Sequence, residues 1–146
     1  MPDSGAIDRG LLARLRGDAA LTAILTDGIW MHEATQGKTA FGIVALVDAI
    51  DRPQQGPKGQ RRALEEATYA VKAVIQGTGR TVPGQAAARI DALLEDEPFP
   101  IEGYTCLSIE RVGRIDDTEV DQVDNALRWQ HRGGRYRLRV APQQGG

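Results

Sequence analysis

Apolar side chains recur at helical spacing in two parts of the chain, and both parts are predicted to form amphipathic helices. In the first part they are Ile7, Leu11, Leu12 and Leu15, which predict a helix over residues 6–15. In the second part they are Ala86, Ile90, Leu93 and Leu94, which predict a helix over residues 83–96. Between these segments, Asp18 is a suitable N-cap for a short helix over residues 18–25. Helices of this kind usually cover one face of a sheet.

Strands are predicted where β-branched and apolar residues cluster or alternate with polar ones. Segments 29–33 and 41–50 predict two strands, which we expect to pair in an antiparallel manner. Segment 63–76 fits both a helix and one face of a strand, and local propensity alone favours the helix. Segment 104–115 predicts a further strand. Its alternation places Cys106, Ser108 and Glu110 on one face and Thr105, Leu107, Ile109 and Arg111 on the other.

The closing segment, residues 127–140, predicts a strand with one apolar face and one cationic face. Tyr136, Leu138 and Val140 fall on the apolar face. The arginines assigned to the opposite face are Arg132, Arg135, Arg137 and Arg139. Gly133-Gly134 permits either a tight hairpin turn or a bulge within one long strand.

An acidic block precedes this strand, in a segment that we expect to connect the last two strands. Its members are Asp116, Asp117, Glu119, Asp121 and Asp124. Arginine is favoured at interfaces and makes bidentate bonds to carboxylates. We therefore expect the acidic block of one subunit to contact the arginine face of the next, in a heterologous contact that generates rings or filaments. The alternative is an ordinary solvated strand face.

Residues 52–62 carry no apolar side chain, so the segment is predicted to be a solvated, flexible loop. Its basic members make it a candidate assembly loop, and they are Arg52, Lys58, Arg61 and Arg62. Residues 141–146 are predicted to form a C-terminal tail.

Composition limits the classes of function. A chain of 146 residues with 41% hydrophobic residues suits one compact domain. The formal net charge of −2 argues against a protein that mainly holds nucleic acid. The lone Cys106 cannot form an internal disulfide and fits a reducing compartment. No apolar run approaches the roughly 20 residues needed to span a bilayer, so we expect no membrane partner.

No motif predicts chemistry. His32 and His131 have no cysteine or second histidine at metal-ligand spacing. Gly37-Lys38-Thr39 resembles the end of a phosphate-binding loop, but His32 stands where that motif requires its first glycine. We therefore expect no enzyme and no cofactor. The arginine strand together with residues 52–62 could bind nucleic acid, although only 5% of residues are aromatic and able to stack on bases.

The order of these elements resembles the phage tail completion family, whose members are tail terminator or head-to-tail joining proteins. The stretches that carry the resemblance are Leu11-Leu12-Ala13-Arg14-Leu15, Asp18-Ala19-Ala20-Leu21, Tyr69-Ala70-Val71-Lys72-Ala73-Val74, Ile90-Asp91-Ala92-Leu93-Leu94, Gly103-Tyr104 and Tyr136-Arg137-Leu138-Arg139-Val140. They span most of the chain, but they are diffuse patterns. Residues 34–62 have no match within the family pattern.

The resemblance implies an α+β fold of a single domain, with a mainly antiparallel sheet flanked by two or three helices. It implies that 63–76 is a strand, which overrides the local helical preference. It implies a non-enzymatic virion protein, located in the tail or neck and assembled in the host cytoplasm. Such proteins form rings, typically hexamers, that cap the tail tube and join it to the head. The expected partners are further copies of the chain, the tail tube protein, a head-completion or stopper protein, and genomic DNA in weak contact with the lumen. A head-side connector, either a stopper or an adaptor, is the alternative.

Overall fold

The computed structural model describes residues 5–34, 37–56, 59–124 and 126–143, and for 51–56 and 59–63 it describes the backbone only. Within these residues the chain forms three helices and five strands. The helices are α1 (Gly5–Arg16), α2 (Ala19–Ile24) and α3 (Thr81–Leu94). The strands are β1 (Ile29–Met31), β2 (Ala40–Gly56), β3 (Gly59–Gln76), β4 (Tyr104–Val120) and β5 (Arg128–Pro142). The predicted α+β class is confirmed.

The strands form one sheet in the order β1-β2-β3-β5-β4, and the helices pack against one of its faces. We call this face the inner face and the uncovered one the outer face. All neighbouring pairs are antiparallel except β1 and β2, which are parallel, with Ile29 opposite Gly42 and Met31 opposite Val44. The expected antiparallel pair is therefore wrong. The chain between the two strands returns to the end of the sheet where β1 began. This connection starts at His32, directly after β1, where φ is positive at 63°.

β3 is the central long strand, as the family resemblance implied. Its residues Ala67, Tyr69, Val71 and Ala73 are buried beneath the helices. The strand pairs with β2 on one side and with β5 on the other. The local preference for a helix is wrong here because hydrogen bonding on both sides and burial of alternate residues outweigh propensity.

Residues 52–62 were predicted to be a solvated, flexible loop without secondary structure, but 52–56 and 59–62 form the strands of a two-stranded ribbon. Gln54 lies opposite Arg61 and Gly56 lies opposite Gly59. Because β5 pairs with β3 only from Glu65 onward, the ribbon projects beyond the sheet. Backbone hydrogen bonds hold such a pair without apolar side chains, which is why composition alone misled the prediction. Lys58 and the side chains of Arg52, Arg61 and Arg62 lie outside the described part of the chain.

The last two strands are longer than predicted. β4 continues through Val120, so Asp116, Asp117 and Glu119 belong to a strand, and only 121–127 connect it to β5. β5 runs through Gly133 and Gly134 without a turn or a register shift, so both alternatives for the glycine pair are wrong. β5 also includes residues 141–142 of the predicted tail, and residues 144–146 lie outside the described range.

Two bulges in β4 overturn the predicted alternation of 104–115. The pairing with β5 shifts between Cys106 and Ser108 and again between Arg111 and Gly113. Each bulge reverses the direction of the residues that follow it. As a result Ile109 is buried, whereas Leu107 at the first bulge is 53% exposed.

Two tyrosines of the central strands form hydrogen bonds with aspartates of the helices. The Tyr69 hydroxyl of β3 donates to Asp8 of α1, and the Tyr136 hydroxyl of β5 donates to Asp91 of α3 at 2.9 Å. Burial and these hydrogen bonds raise the pKa of both tyrosines above the usual value, so the hydroxyls remain donors. The apolar face predicted for β5 is confirmed, because Tyr136, Leu138 and Val140 are all buried.

Asp18 joins α2 to α3. Its carboxylate accepts the N–H of Leu21 as an N-cap and binds the Arg89 guanidinium through two bonds of 2.8 and 2.7 Å. The bond with Arg89, followed by that from Leu21, holds the pKa of Asp18 at about 2. The predicted capping role of Asp18 is confirmed.

This low pKa makes the contribution of Asp18 dependent on pH. A depressed carboxyl pKa stabilises the fold above the unfolded pKa, near 4, and the stabilisation is lost as the pH falls toward 2. Asp18→Asn keeps a capping oxygen but loses the charge. We expect it to lower the free energy of unfolding by about 1 kcal/mol at pH 7, after discounting for solvent screening of the pair.

Urea unfolding of Asp18→Asn and the wild type, followed by circular dichroism from pH 7 to pH 2, measures this difference. The two stabilities should converge between pH 4 and pH 2. A gap that stays constant over that range would show that the Asp18 charge does not act as described.

Candidate functional site

The predicted arginine face is divided between the two faces of the sheet. Arg135, Arg137 and Arg139 lie on the outer face, as predicted. Arg132 lies on the inner face, because it has the same strand parity as the buried Tyr136. Its guanidinium approaches Gly84 of α3. The assignment of Arg132 to the cationic face is therefore wrong.

Two of the outer arginines are compensated within the subunit. Arg137 Nη1 lies 3.2 Å from a carboxylate oxygen of Glu110. Arg139 lies 3.4 Å from Glu66 and 3.7 Å from Glu110. These pairs cross from β5 to both of its neighbours. Partly exposed pairs of this kind add little stability, but they reduce the positive charge that a partner would encounter.

Arg135 differs from its neighbours on the strand. It lies opposite Ala70 of β3 and Gly113 of β4, so small residues flank it on both sides. Among the described residues Arg135 has no carboxylate partner, and it is exposed. Of the three outer-face arginines of β5, it is the one whose charge is most available to another molecule.

The acidic block is also divided. Asp116 lies on the inner face, 2.6 Å from Arg80 and 3.7 Å from Arg132. Glu119 lies on the outer face, 2.8 Å from Nε2 of His131. Asp117 is exposed opposite His131 in the β4–β5 register. The expected pairing of acid with arginine therefore occurs, in part, within one subunit.

The remaining two acids shape the connecting turn. Asp121 accepts the N–H groups of Val123 and Asp124 at 2.8 and 3.0 Å, and Asp124 accepts that of Ala126 at 3.0 Å. The bonds from Asp124 and Val123 lower the pKa of Asp121, so its carboxylate is ionised at neutral pH. Both acids are presented at the end of the sheet.

The outer face carries a groove of about 550 Å³ that the sequence did not indicate. Its apolar lining comes from three strands, with Phe41 and Ile43 on β2, Val74 on β3 and Trp129 on β5. The rings of Phe41 and Trp129 pack edge to face, with their centroids 6.4 Å apart. These residues come together only through the pairing of the three strands, so the groove could be found only from the register. Residues 35–36 lie outside the described part of the chain.

The inner face carries a second feature, which we call the basic cleft, with a volume of about 330 Å³. It lies between α3 and the β4–β5 pair. Its walls include three arginines and two carboxylates, namely Arg111, Arg114, Arg132, Asp91 and Asp116. Gly84, Ala87 and Ala88 of α3 form a floor of small residues. Arg111 Nη1 binds Asp91 Oδ1 at 3.0 Å.

The described residues do not form a site for metal binding or for thiol chemistry. No cluster of three or more His, Cys, Asp or Glu side chains is placed there to hold a metal ion. Burial raises the pKa of the Cys106 thiol, which makes it a weak nucleophile. In the same ranges, no helix has the length and apolar character needed to cross a membrane.

Comparisons with known proteins identify the family. The family model described as tail completion protein gp17 matches residues 9–140. A chain of a structure titled "Virion of native gene transfer agent (GTA) particle" is 16% identical, with a TM-score of 0.66 over 94% of this chain and 96% of that chain. A second solved structure is 14% identical, with a TM-score of 0.55 over 99% of this chain and 98% of that chain. No curated protein matches the sequence.

The two solved structures share the fold, and the family match defines the class. The class is that of bacteriophage virion structural proteins located in the tail or neck. The chain belongs to the tail completion protein gp17 family. The resemblance inferred from the sequence is confirmed, and the coarse function is a structural role in tail completion.

Proposed function

We propose that the protein assembles into a hexameric ring that caps the tail tube and joins it to the head. The observation that carries this proposal is the family match over residues 9–140, which includes nearly all of the helices and strands. The likeness of the fold to a chain of a virion particle supports an assembled rather than a free state.

Elements that project from opposite ends of the sheet support a joining role. At one end is the β2–β3 ribbon, residues 51–56 and 59–64. At the other end is the β4–β5 turn, residues 121–127. The register fixes this arrangement, because Glu65 of β3 lies opposite Val140 and Gln76 lies opposite Trp129. A subunit with two distinct ends suits a ring that contacts the tail tube protein on one side and a head-completion or stopper protein on the other.

Four charged residues of the acidic block and of the outer arginine face have no oppositely charged partner within the described chain, and they are candidates for contacts between subunits. They are Asp117, Asp121, Asp124 and Arg135. The ribbon is the proposed assembly loop, and its basic residues Arg52, Lys58, Arg61 and Arg62 would contact neighbouring components. DNA passing through the lumen needs only weak contact, which the net charge of −2 favours.

Electron microscopy and native mass spectrometry of the purified chain, alone and mixed with uncapped tail tubes, test the ring. We expect closed rings at high concentration or at one end of each tube. Tubes that already carry a cap are the control and should bind no further protein. Chains that remain monomeric and leave tube ends bare would contradict the proposal. Density on the head side of the neck, away from the tube end, would indicate the connector role instead.

A further inference from the structure

The basic cleft combines charge with an apolar floor. Arg111 forms an ion pair with Asp91, and Arg132 and Arg80 both form ion pairs with Asp116. Arg114 is exposed and has no carboxylate partner among the described residues. With three arginines against two carboxylates, the lining has a formal charge of +1. A segment that fits the cleft should therefore offer a small apolar side chain together with at least one carboxylate.

The β4–β5 turn offers this combination. Val123 is 98% exposed, the largest exposure among the large hydrophobic residues of the described chain. Asp121 and Asp124 stand on either side of it along the sequence. Burial of the exposed Val123 side chain in a pocket is favourable because it removes apolar surface from water. A positively charged pocket also attracts the acidic residues beside it.

We propose that the basic cleft of one subunit receives the β4–β5 turn of the adjacent subunit in the ring. In this contact Val123 packs on the floor formed by Gly84, Ala87 and Ala88. The carboxylates of Asp121 and Asp124 bind the arginines at the rim, chiefly Arg114. The inference rests on the proposed ring and specifies the surface through which its subunits bind.

The turn that enters the cleft must come from another copy. Arg132 and Asp116 in the cleft belong to the same β4–β5 hairpin as the turn, and three residues of paired strand separate Asp116 from Val120, where the turn begins. A paired hairpin cannot fold back on itself over that length. Turn and cleft are different surfaces, so the contact is heterologous and repeats around a ring.

Nucleic acid fits the cleft less well. Asp91 and Asp116 line it and would repel the closely spaced phosphates of a nucleic-acid backbone. The floor of Gly84, Ala87 and Ala88 also offers no hydrogen-bonding side chain to a sugar or a base. A small branched side chain fills such a floor better.

Disulfide trapping tests the contact in the full-length protein. All variants carry Cys106→Ala to remove the native thiol. The test variant adds Val123→Cys and Ala88→Cys, and the control adds Val123→Cys and Gln85→Cys. Gln85 is exposed on α3 but does not line the cleft. Oxidation should give a ladder of covalent oligomers in the test variant only.

A charge exchange provides an independent measurement. Asp124→Arg should weaken subunit association by about tenfold or more, and adding Arg114→Asp should restore most of it. Both side chains are exposed, so folding should survive, as circular dichroism can check. Recovery in the double variant distinguishes a direct contact from damage to the turn.

The outcomes separate this inference from the ring itself. Closed rings by electron microscopy without a ladder or charge rescue would overturn the docking contact and leave the ring proposal standing. Monomers under every condition would overturn both. If Arg114→Asp abolished duplex DNA binding at moderate salt and no ladder formed, the cleft would be a nucleic-acid site and the proposal would be wrong.

Discussion

Gly133→Ala is expected to lower the free energy of unfolding by about 3–5 kcal/mol, which is enough to unfold a protein of ordinary stability. A Cβ at this position would lie 2.1 Å from the carbonyl oxygen of Val71 and 2.6 Å from the Cα of Lys72. Both atoms belong to the backbone of β3, which is held between β2 and β5. The clash can therefore be relieved only by separating two central strands.

Gly113→Ala is the matched control. It lies on β4, adjacent to β5, and a Cβ there would meet no atom within 4 Å. The expected change is within about 0.5 kcal/mol. Urea unfolding followed by circular dichroism compares the two variants. Equal stabilities would mean that the close approach at Gly133 has no energetic consequence.

The role of Gly133 illustrates what the sequence could not provide. A glycine pair in a strand indicates a turn, a bulge or a close approach of another backbone. Only the third applies here, and it depends on which strand lies opposite Gly133. The same limit affected the β1–β2 pair, because strand direction depends on the path of the connecting segment rather than on the residues of the strands.

Periodicity was reliable where burial was regular. It predicted α1 and α3 to within two residues, and it predicted the buried face of β5. It could not decide between helix and strand for 63–76, because apolar residues there satisfy both periods. The family resemblance supplied the answer, since it carries information about the neighbours of β3.

The candidate site was predicted in composition but not in arrangement. Arg132 stands four residues before Tyr136, and counting by twos would have placed it on the buried face. The pairing of Asp116 with Arg132 needed the β4–β5 register, which two bulges shift. Arginines and acids close in sequence were thus brought together within one subunit, and on the described part of β4 and β5 Arg114 and Arg135 remain exposed without a carboxylate partner.

The β4 bulges account for the second large predicted effect, which is a difference in stability between two truncation variants of β4. Alternation in the sequence places Leu107 and Ile109 on one face and predicts equal costs for truncating them. In the structure Ile109 is 1% exposed and packs in the core, whereas Leu107 is 53% exposed at the bulge. Ile109→Ala should lower the free energy of unfolding by about 3 kcal/mol through lost burial and a cavity. Leu107→Ala should change it by less than about 0.5 kcal/mol.

Thermal and urea unfolding of the two variants measure this contrast, and their similar chemistry makes each the control for the other. Comparable losses would mean that β4 keeps a regular register in solution and that Leu107 faces the core. A large loss for Ile109→Ala alone would establish the bulge. It would also leave Leu107 as an exposed apolar residue on an edge strand, where burial in assembly would supply a benefit that folding does not.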